Sequence, residues 1–220
     1  MISEVHHIDC MEYMRTLPDK FFELAIVDPP YGLGESVVNS GGRFARYENK
    51  NGNWDLEIPN ATYFNELFRV SKNQIIWGGN YFIDNLYSTK CFIIWDKRQP
   101  QGVSFASCEF AWSSFDKVSK TFYMRPQGQE DRWHPTMKPI ALYRWLLENY
   151  AKPGDKIFDS HMGSQSSRIA AWQLGFDYYG CELDKDYFDA GCKRFEAEKS
   201  KGSLFTPDQL RTETKPSTLF

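Results

Sequence analysis

The segment Leu-Ala-Ile-Val-Asp-Pro-Pro-Tyr, residues 24–31, decides how the chain folds. Its first four residues are apolar, and the first polar side chain, Asp28, comes only at the end. This pattern is typical of a strand buried on both faces of a parallel sheet. Two prolines then end the strand, at the carboxyl edge where open α/β sheets bind their ligands. The segment therefore predicts an α/β fold with a site that begins at Asp28.

Strand and helix signals alternate on both sides of this segment. Strands are predicted at residues 5–9, 24–28, 74–78, 91–95, 108–113, 156–159 and 178–183, and helices at residues 11–17, 62–70, 81–86, 140–150, 166–174 and 186–199. This alternation predicts a mostly parallel sheet. We expect one domain over residues 1–200, with inserts at about 32–59 and 96–133 and a polar tail at 201–220.

The four residues Asp28, Pro29, Pro30 and Tyr31 suit chemistry on the exocyclic amine of a base. Such an amine is a poor nucleophile, because its lone pair is delocalised into the ring. The Asp28 carboxylate and the Pro29 carbonyl can accept its two hydrogens while positive charge builds on the nitrogen. Two prolines fix the turn, and Tyr31 offers a ring on which an extruded base can stack. The alternative is a rigid turn that only ends the strand.

A second motif, Phe-Asp-Ser-His-Met-Gly-Ser at residues 158–164, combines a strand, a turn of small residues and a helix. Gly163 lets the backbone approach a ligand, and Glu182 ends the next strand, where a carboxylate can accept both hydroxyls of a ribose. No GxGxxG or GxxxxGK[ST] pattern occurs, so we expect an adenosyl cofactor rather than a dinucleotide or a triphosphate. The predicted cofactor-binding residues of this motif are Asp159, Ser160, His161, Gly163, Ser164 and Glu182. The alternative is an ordinary strand-turn-helix unit.

Two further segments complete the predicted cofactor site. His134, Thr136 and Lys138 belong to a His-Pro-Thr-Met-Lys-Pro stretch, in which Lys138 or a neighbour is expected to bind the carboxylate of the cofactor. The alternative is a helix-entry turn, for which two prolines are sufficient. Asp9, followed by Cys10, can accept a hydrogen bond from the adenine amine of the cofactor, and a helix N-cap explains Asp9 equally well.

The overall composition is that of a folded protein and excludes several classes. The net charge is −3, but residues 32–138 hold 13 Lys and Arg against 11 Asp and Glu, so we expect any phosphate-binding surface there. Five widely spaced cysteines without a CxxC pair predict reduced thiols and no metal site. No apolar run is long enough to cross a bilayer, and the first ten residues lack the apolar core of a secretory signal. We expect a cytoplasmic protein without a membrane partner.

Together these motifs resemble those of the DNA amino-methyltransferases, and their order resembles the permuted beta class of that family. In that class the [DNS]PP[YFW] motif comes first, followed by HPTxKP and a turn written DPFxGSGTT. Residues 28–31, 134–139 and 159–167, with Glu182, occupy these positions, so the resemblance covers most of the chain. It implies a Rossmann-like sheet of seven strands and S-adenosylmethionine as the cofactor. It also implies methylation of a base amine in a short site of double-stranded DNA, by base flipping and direct transfer, and the aspartate of DPPY favours adenine N6 as that amine.

Departures from the family pattern leave alternatives open. Ser160 and His161 replace Pro-Phe, and Gln165 replaces the second glycine, which predicts a changed contact with the methionine half of the cofactor. The alternatives are methylation of cytosine N4 in DNA or of adenine N6 in RNA, and a non-catalytic module that binds nucleic acid. A glutamine-modifying enzyme is disfavoured, because such enzymes usually carry NPPY after the cofactor motif.

The two inserts hold the candidates for DNA recognition. The predicted contacts are Arg43, Arg46, Lys97, Arg98 and Arg132, several of them interleaved with aromatic residues. The alternative for each is an ordinary solvated surface position. Neither insert is large enough to form a separate recognition domain. We therefore expect that the protein either forms a homodimer or reads only a short sequence.

Overall fold

Eight strands form one sheet in the described part of the computed structural model, which comprises residues 1–32, 58–100, 102, 106–126 and 137–202. The strands are β1 (Ser3–His7), β2 (Phe22–Val27), β3 (Ser71–Trp77), β4 (Phe92–Asp96), β5 (Cys108–Ser113), β6 (Lys120–Tyr123), β7 (Lys156–Asp159) and β8 (Asp177–Glu182). Their order across the sheet is β1-β8-β7-β2-β3-β5-β4-β6. The predicted α/β fold with a mostly parallel sheet is confirmed, but the predicted number of seven strands was wrong, since the sheet has eight.

The eighth strand is β6, which pairs in parallel with β4 at the end of the sheet. Its four residues, Lys-Thr-Phe-Tyr, are half-buried or exposed, so the period-2 contrast that marks a strand is weak. β5 is antiparallel to both of its neighbours, and the other strands are parallel. The carboxyl ends of seven strands and the amino end of β5 therefore meet at one edge of the sheet. We call this the carboxyl edge.

Five helices cover the two faces of the sheet within the described residues. They are α1 (Cys10–Arg15), α2 (Ala61–Val70), α3 (Ile140–Tyr150), α4 (Ser166–Leu174) and α5 (Lys185–Gly202). The segment predicted as a short helix at residues 81–86 instead forms two 3₁₀ turns, Gly79–Tyr81 and Ile83–Asn85. None of these helices is long and apolar enough to span a membrane.

Residues of β2 alternate between two buried clusters, as the period of a strand requires. Leu24 and Ile26 pack in a cluster that includes side chains of α3 and α4. Ala25 and Val27 pack in the other cluster, with side chains of α1 and α2. Both faces of the central strand are therefore buried, and the polar turn that begins at Asp28 follows directly after its buried residues. This arrangement fixes the position of that turn at the carboxyl edge.

Candidate active site

A cavity of about 570 Å³ opens at the carboxyl edge. It is formed by the turn after β1, the turn after β2, the residues before α3, the turn after β7 and the end of β8. Ten predicted site residues line it: Asp9, Cys10, Asp28, Pro30, Lys138, Ser160, His161, Gly163, Ser164 and Glu182. Pro29, Tyr31 and Asp159 are not in the lining, and His134 and Thr136 lie outside the described residues. Segments far apart in sequence therefore meet where the sequence predicted a site.

The Asp28 carboxylate is engaged through both of its oxygens. The Tyr31 hydroxyl donates to Oδ1 at 2.5 Å, and the Lys138 ammonium group donates to Oδ2 at 2.5 Å. The Tyr31 ring stacks on that of Tyr81, with ring centres 5.0 Å apart. One face of Tyr31 is therefore occupied by an aromatic neighbour. A base amine that reaches Asp28 must share the oxygens with these two donors.

Lys138 lies at the centre of a chain of four charges. Its side chain is 4% exposed and also contacts Oε2 of Glu109 at 3.2 Å, and Oε1 of Glu109 pairs with Lys97 at 2.6 Å. Burial acts to lower the pKa of Lys138, but the carboxylates of Asp28 and Glu109 outweigh it and raise that pKa. Burial acts to raise the pKa of Glu109, but the two lysines lower it to about 2. Glu109 and Lys138 are therefore both charged at neutral pH.

Glu109 and Tyr63 are site residues that the sequence reasoning missed. Glu109 lies at the amino end of β5, which the antiparallel direction of that strand brings to the carboxyl edge. Tyr63 lies on the buried face of α2, and its hydroxyl bonds to Ser160 at 2.7 Å. Glu109 stands out in the sequence only as an acid that begins an otherwise apolar strand, and Tyr63 carries no signal.

The turn after β7 is held to the end of β8 by Glu182. The backbone N–H of Gly163 donates to Oε2 of Glu182 at 2.8 Å, and that of Asp184 donates to Oε1 at 3.0 Å. Gly163 has a φ of 46°, in the left-handed region that favours glycine. Burial raises the pKa of Glu182, partly offset by these amide donors. A carboxylate held in this way keeps lone pairs that face the cavity.

Asp159 lies beneath the turn rather than in the cavity. Its Oδ2 accepts a hydrogen bond from Ser167 at 2.6 Å, and its Oδ1 accepts one from the backbone N–H of His161 at 3.1 Å. Burial raises the pKa of Asp159 to about 7. In this structure the carboxylate fixes the turn that borders the cavity.

Gln165 stands where the turn of the family has a glycine. The structure explains why a glycine suits this position and how a glutamine is accommodated there. Its φ is 57°, a left-handed conformation that glycine adopts without strain. Its side chain is fully buried on the side away from the cavity, where its carbonyl oxygen accepts a hydrogen bond from Arg168 at 2.9 Å. A side chain at Gly191 would clash with it, so α5 comes close at this point. Gln165 therefore does not narrow the cavity.

Asp9 and Cys10 line the cavity at the start of α1. Oδ1 of Asp9 accepts from the backbone N–H of Met11 at 2.7 Å and of Glu12 at 3.3 Å, so Asp9 is the N-cap of this helix. Oδ2 of Asp9 has no hydrogen-bond partner among the described residues. Burial raises the pKa of Cys10 to about 12, so its thiol is protonated at neutral pH. The capping role of Asp9 leaves one of its oxygens available to a ligand.

Basic residues of the second insert divide between the two edges of the sheet. Arg98 and Arg125 follow β4 and β6 at the carboxyl edge, and both are exposed. The Arg98 guanidinium group lies 4.9 Å from the ring centre of Tyr123. Lys117 and Lys120 lie at the opposite edge, where their ammonium groups bond to Asn149 at the end of α3. Arg43, Arg46 and Arg132 lie outside the described residues.

The described residues contain no group of three His, Cys, Asp or Glu side chains arranged to hold a metal ion. The five cysteines are free thiols.

The fold and the cavity define a Rossmann-like α/β protein with a ligand site at its carboxyl edge. The N6_N4_Mtase family, described as DNA methylase, matches residues 76–193. Since this match covers more than half of the chain, the protein belongs to that family of DNA methylases.

Individual relatives extend this finding to most of the chain. The chain is 24% identical over 242 residues to the Type II methyltransferase M2.DpnII of Streptococcus pneumoniae, with 87% of this chain and 89% of the relative covered. It is 25% identical over 245 residues to the Type II methyltransferase M.HinfI of Haemophilus influenzae, with 87% and 67% covered. These similarities confirm the resemblance that the motifs indicated.

Solved structures share the fold. The M1.HpyAVI–SAM complex matches with a TM-score of 0.61 at 21% identity, over 88% of this chain and 98% of that chain. The cytosine-N4-specific PvuII DNA methyltransferase matches with a TM-score of 0.63 at 10% identity, over 96% and 92%. Since one structure of the same fold is named as cytosine-N4-specific, the fold alone does not identify adenine as the base.

Proposed function

We propose that the protein transfers a methyl group from S-adenosylmethionine to the exocyclic N6 amine of adenine in a short site of double-stranded DNA. The observation that carries the proposal is the position of Asp28, whose carboxylate opens into the same cavity as Gly163 and Glu182. Methyl transfer needs an acceptor for the hydrogens of the base amine and an adenosyl site within one cavity. The proposal places both on segments that end neighbouring strands of one sheet.

The cavity fits S-adenosylmethionine in size and in the chemistry of its lining. Its volume of about 570 Å³ is typical of sites for small ligands. Glu182 is the proposed acceptor for the ribose hydroxyls, and the turn at Gly163 is the proposed place where the backbone approaches the cofactor. When bound, S-adenosylmethionine supplies an electrophilic methyl group on a sulfonium. Relatives of similar fold include the M1.HpyAVI–SAM complex, which supports this cofactor.

The reaction proceeds by direct transfer to a base that has left the duplex. The amine nitrogen donates its lone pair to the methyl carbon as the carbon–sulfur bond breaks, and the sulfur keeps that bonding pair. Asp28 accepts an amine hydrogen while the nitrogen becomes positive, and the carbonyl of Pro29, a residue outside the cavity lining, is the proposed acceptor of the other. The methylated aminium group then loses one proton, to Asp28 or to water. The substrate amine competes for Asp28 with Lys138 and Tyr31, which bond to its oxygens.

Glu109 makes this position of Lys138 compatible with the reaction. An ammonium group next to Asp28 opposes the growth of positive charge on the amine, because like charges repel at short range. The Glu109 carboxylate, 3.2 Å from the Lys138 ammonium group, offsets that charge. Lys97, Glu109, Lys138 and Asp28 together carry no net charge, so this group of side chains presents no net positive charge to the amine. The proposal therefore treats Glu109 as part of the electrostatics of the site.

Duplex DNA is the proposed partner, and the exposed Arg98 and Arg125 support it because they lie at the edge that carries the cavity. Arg98 is held against Tyr123, so it is oriented before DNA arrives. Lys97 is 16% exposed and paired with Glu109, which favours a structural role for this predicted DNA contact. We propose that the enzyme acts in the cytoplasm, in keeping with its free thiols, and that a homodimer compensates for its small recognition surface.

The test is transfer of labelled methyl from S-adenosylmethionine to unmethylated duplex DNA, with single-stranded DNA and RNA alongside, followed by mass spectrometry of the nucleosides. The proposal predicts N6-methyladenine from duplex DNA. N4-methylcytosine would select cytosine, labelled RNA would select an RNA substrate, and no transfer to any of them would select the non-catalytic alternative. Asp28→Ala is expected to abolish transfer, whereas Asp116→Ala, which changes an exposed acid away from the site, is expected to retain it. Equal activity of wild type and Asp28→Ala would refute the assigned mechanism.

A further inference from the structure

Three side chains form a hydrogen-bonded chain in the wall of the cavity. The Tyr63 hydroxyl lies 2.7 Å from Oγ of Ser160, which lies 2.8 Å from Nδ1 of His161. The rings of Tyr63 and His161 meet edge to face, with centres 5.5 Å apart. Tyr63 and Ser160 are 4% and 3% exposed, so water does not compete for their hydroxyl groups. The chain therefore has a defined geometry that ends on a histidine of the cavity.

The direction of the hydrogen bonds in this chain follows from the burial of Tyr63. If Ser160 donated to Tyr63, the hydrogen of the Tyr63 hydroxyl would be buried without an acceptor among the described residues, which is costly. Tyr63 therefore donates to Ser160, whose own hydroxyl hydrogen is then available to Nδ1 of His161. Burial lowers the pKa of His161 to about 4, so its ring is neutral at pH 7. A neutral ring that accepts at Nδ1 carries its proton on Nε2.

Nε2 of His161 is open to the cavity. It makes no hydrogen bond with a described residue, and it is not among the buried atoms that lack a partner. His161 and Asp9 both line the cavity, and the charge of Asp9 acts to raise the pKa of His161. Oδ2 of Asp9 has no partner within the described part of the chain. A neutral donor and an acceptor therefore both lie in the lining of one cavity.

We propose that His161 is a specificity-determining residue that donates its Nε2–H to a ring nitrogen beside the adenine amine of the cofactor, and that Tyr63 and Ser160 are positioning residues. This inference rests on the proposed function. The edge of adenine offers a donor amine between two acceptor nitrogens, N1 and N7, which matches a donor beside an acceptor. The Asp9 carboxylate repels the carboxylate of the cofactor, so a ring nitrogen is the better partner for the donor.

The first experiment measures the tautomer of His161 by ¹⁵N NMR of the free protein at neutral pH. The wild-type protein is expected to carry the proton on Nε2. Tyr63→Phe keeps the ring but removes the hydroxyl, so it is expected to populate the Nδ1–H tautomer as well. A wild-type protein with the proton on Nδ1, or a Tyr63→Phe variant with an unchanged tautomer, would overturn the positioning role.

The second experiment measures by calorimetry the binding of S-adenosylhomocysteine and of its 1-deaza and 7-deaza analogues. One analogue is expected to bind wild type about fivefold more weakly, the usual effect of one neutral hydrogen bond. His161→Phe is expected to lose this discrimination. His7→Phe is the control, because His7 also lines the cavity but its Nε2 bonds to the carbonyl of Leu183 at 3.0 Å. The control is expected to keep the discrimination.

The outcomes separate this inference from the proposed function. Wild type that transfers methyl groups but binds all three compounds equally would overturn the role of His161 and leave the proposed function standing. Wild type that binds S-adenosylhomocysteine with the expected discrimination but methylates no nucleic acid would support His161 and overturn the proposed function. Wild type that binds none of the three compounds would overturn both.

Discussion

Replacing Lys138 with methionine removes the central charge of the site while keeping a side chain of similar length. The ammonium group lies between the carboxylates of Asp28 and Glu109, and the side chain is 4% exposed. In Lys138→Met the two carboxylates stay at the same edge with no cation between them, and Lys97 alone remains to pair with Glu109. We therefore expect a less stable protein, because the variant keeps buried charges that have lost a partner.

The size of this loss of stability can be derived from Glu109, because the two lysines lower the pKa of its carboxyl group from 4.5 to about 2. This corresponds to about 3 kcal/mol of stabilisation, at 1.36 kcal/mol per pKa unit, and breaking a buried ion pair costs a similar amount. Because the pKa is lowered in the folded state, the stabilisation is fully present above pH 4.5 and is lost as the pH falls through about 2. Because Lys97 keeps part of this stabilisation, the cost of Lys138→Met is at most about 3 kcal/mol at pH 7, and it is smaller at pH 3.5.

Urea unfolding of both proteins at pH 7 and pH 3.5 measures this difference. Lys72→Met is the matched control, since Lys72 pairs at 2.9 Å with Glu23 but is 51% exposed. An exposed pair of this kind is worth less than about 1 kcal/mol. If Lys138→Met cost no more than the control at pH 7, or if its cost did not shrink on acidification, the assigned charge chain would be refuted.

Three other substitutions test separate parts of the site. Gly78→Ala would place a Cβ 2.2 Å from the Tyr31 ring at a φ of 70°, so we expect a loss of about 2–4 kcal/mol in urea unfolding and at least tenfold slower methyl transfer. Gly154→Ala, at a φ of 90° with nothing within 4 Å, is the control and should cost only about 1 kcal/mol. Gln165→Gly relieves a left-handed residue but removes an acceptor from a buried arginine, so the protein should lose about 1 kcal/mol while calorimetry shows unchanged affinity for S-adenosylhomocysteine. Asp159→Asn removes a carboxyl whose pKa is raised to about 7 from 3.8, so wild type should lose stability relative to the variant as the pH rises from 4 through 7, as measured by unfolding at pH 5 and pH 8.5.

The fold could be predicted from the sequence wherever a strand is buried on both faces. Residues 24–27 of β2 form an unbroken apolar run and are buried as predicted, although the strand begins earlier, at Phe22, and includes the half-buried Glu23. β6 was missed because a half-exposed strand at the end of the sheet depends on its pairing with β4, which a local pattern does not record. The two 3₁₀ turns were read as a helix for a related reason, since three residues are too few for a period to distinguish them.

The part of the site that the sequence predicted comes from residues that directly follow parallel strands. Asp28, the turn at Gly163 and Glu182 meet because the carboxyl ends of parallel strands share an edge. Glu109 was missed because it lies near the amino end of β5. The antiparallel direction of this strand brings that end, rather than the carboxyl end, to the same edge. Tyr63 was missed because its partner Ser160 is 97 residues away, and a tyrosine on the buried face of a helix reads as core.

The sheet order predicts that the proposed amine site and the proposed cofactor site can be altered separately. β2 lies between two groups of strands: β7, β8 and β1 on one side, and β3, β5, β4 and β6 on the other. Apart from the segment before α3, the predicted cofactor residues lie at or directly after the ends of strands of the first group, whereas Glu109 and Arg98 belong to the second. Lys138, from the segment before α3, joins the second group to Asp28 at the boundary. Substitutions in the second group should therefore change base specificity and DNA binding while leaving cofactor affinity intact. Substitutions in the first group should change cofactor affinity while leaving base specificity and DNA binding intact.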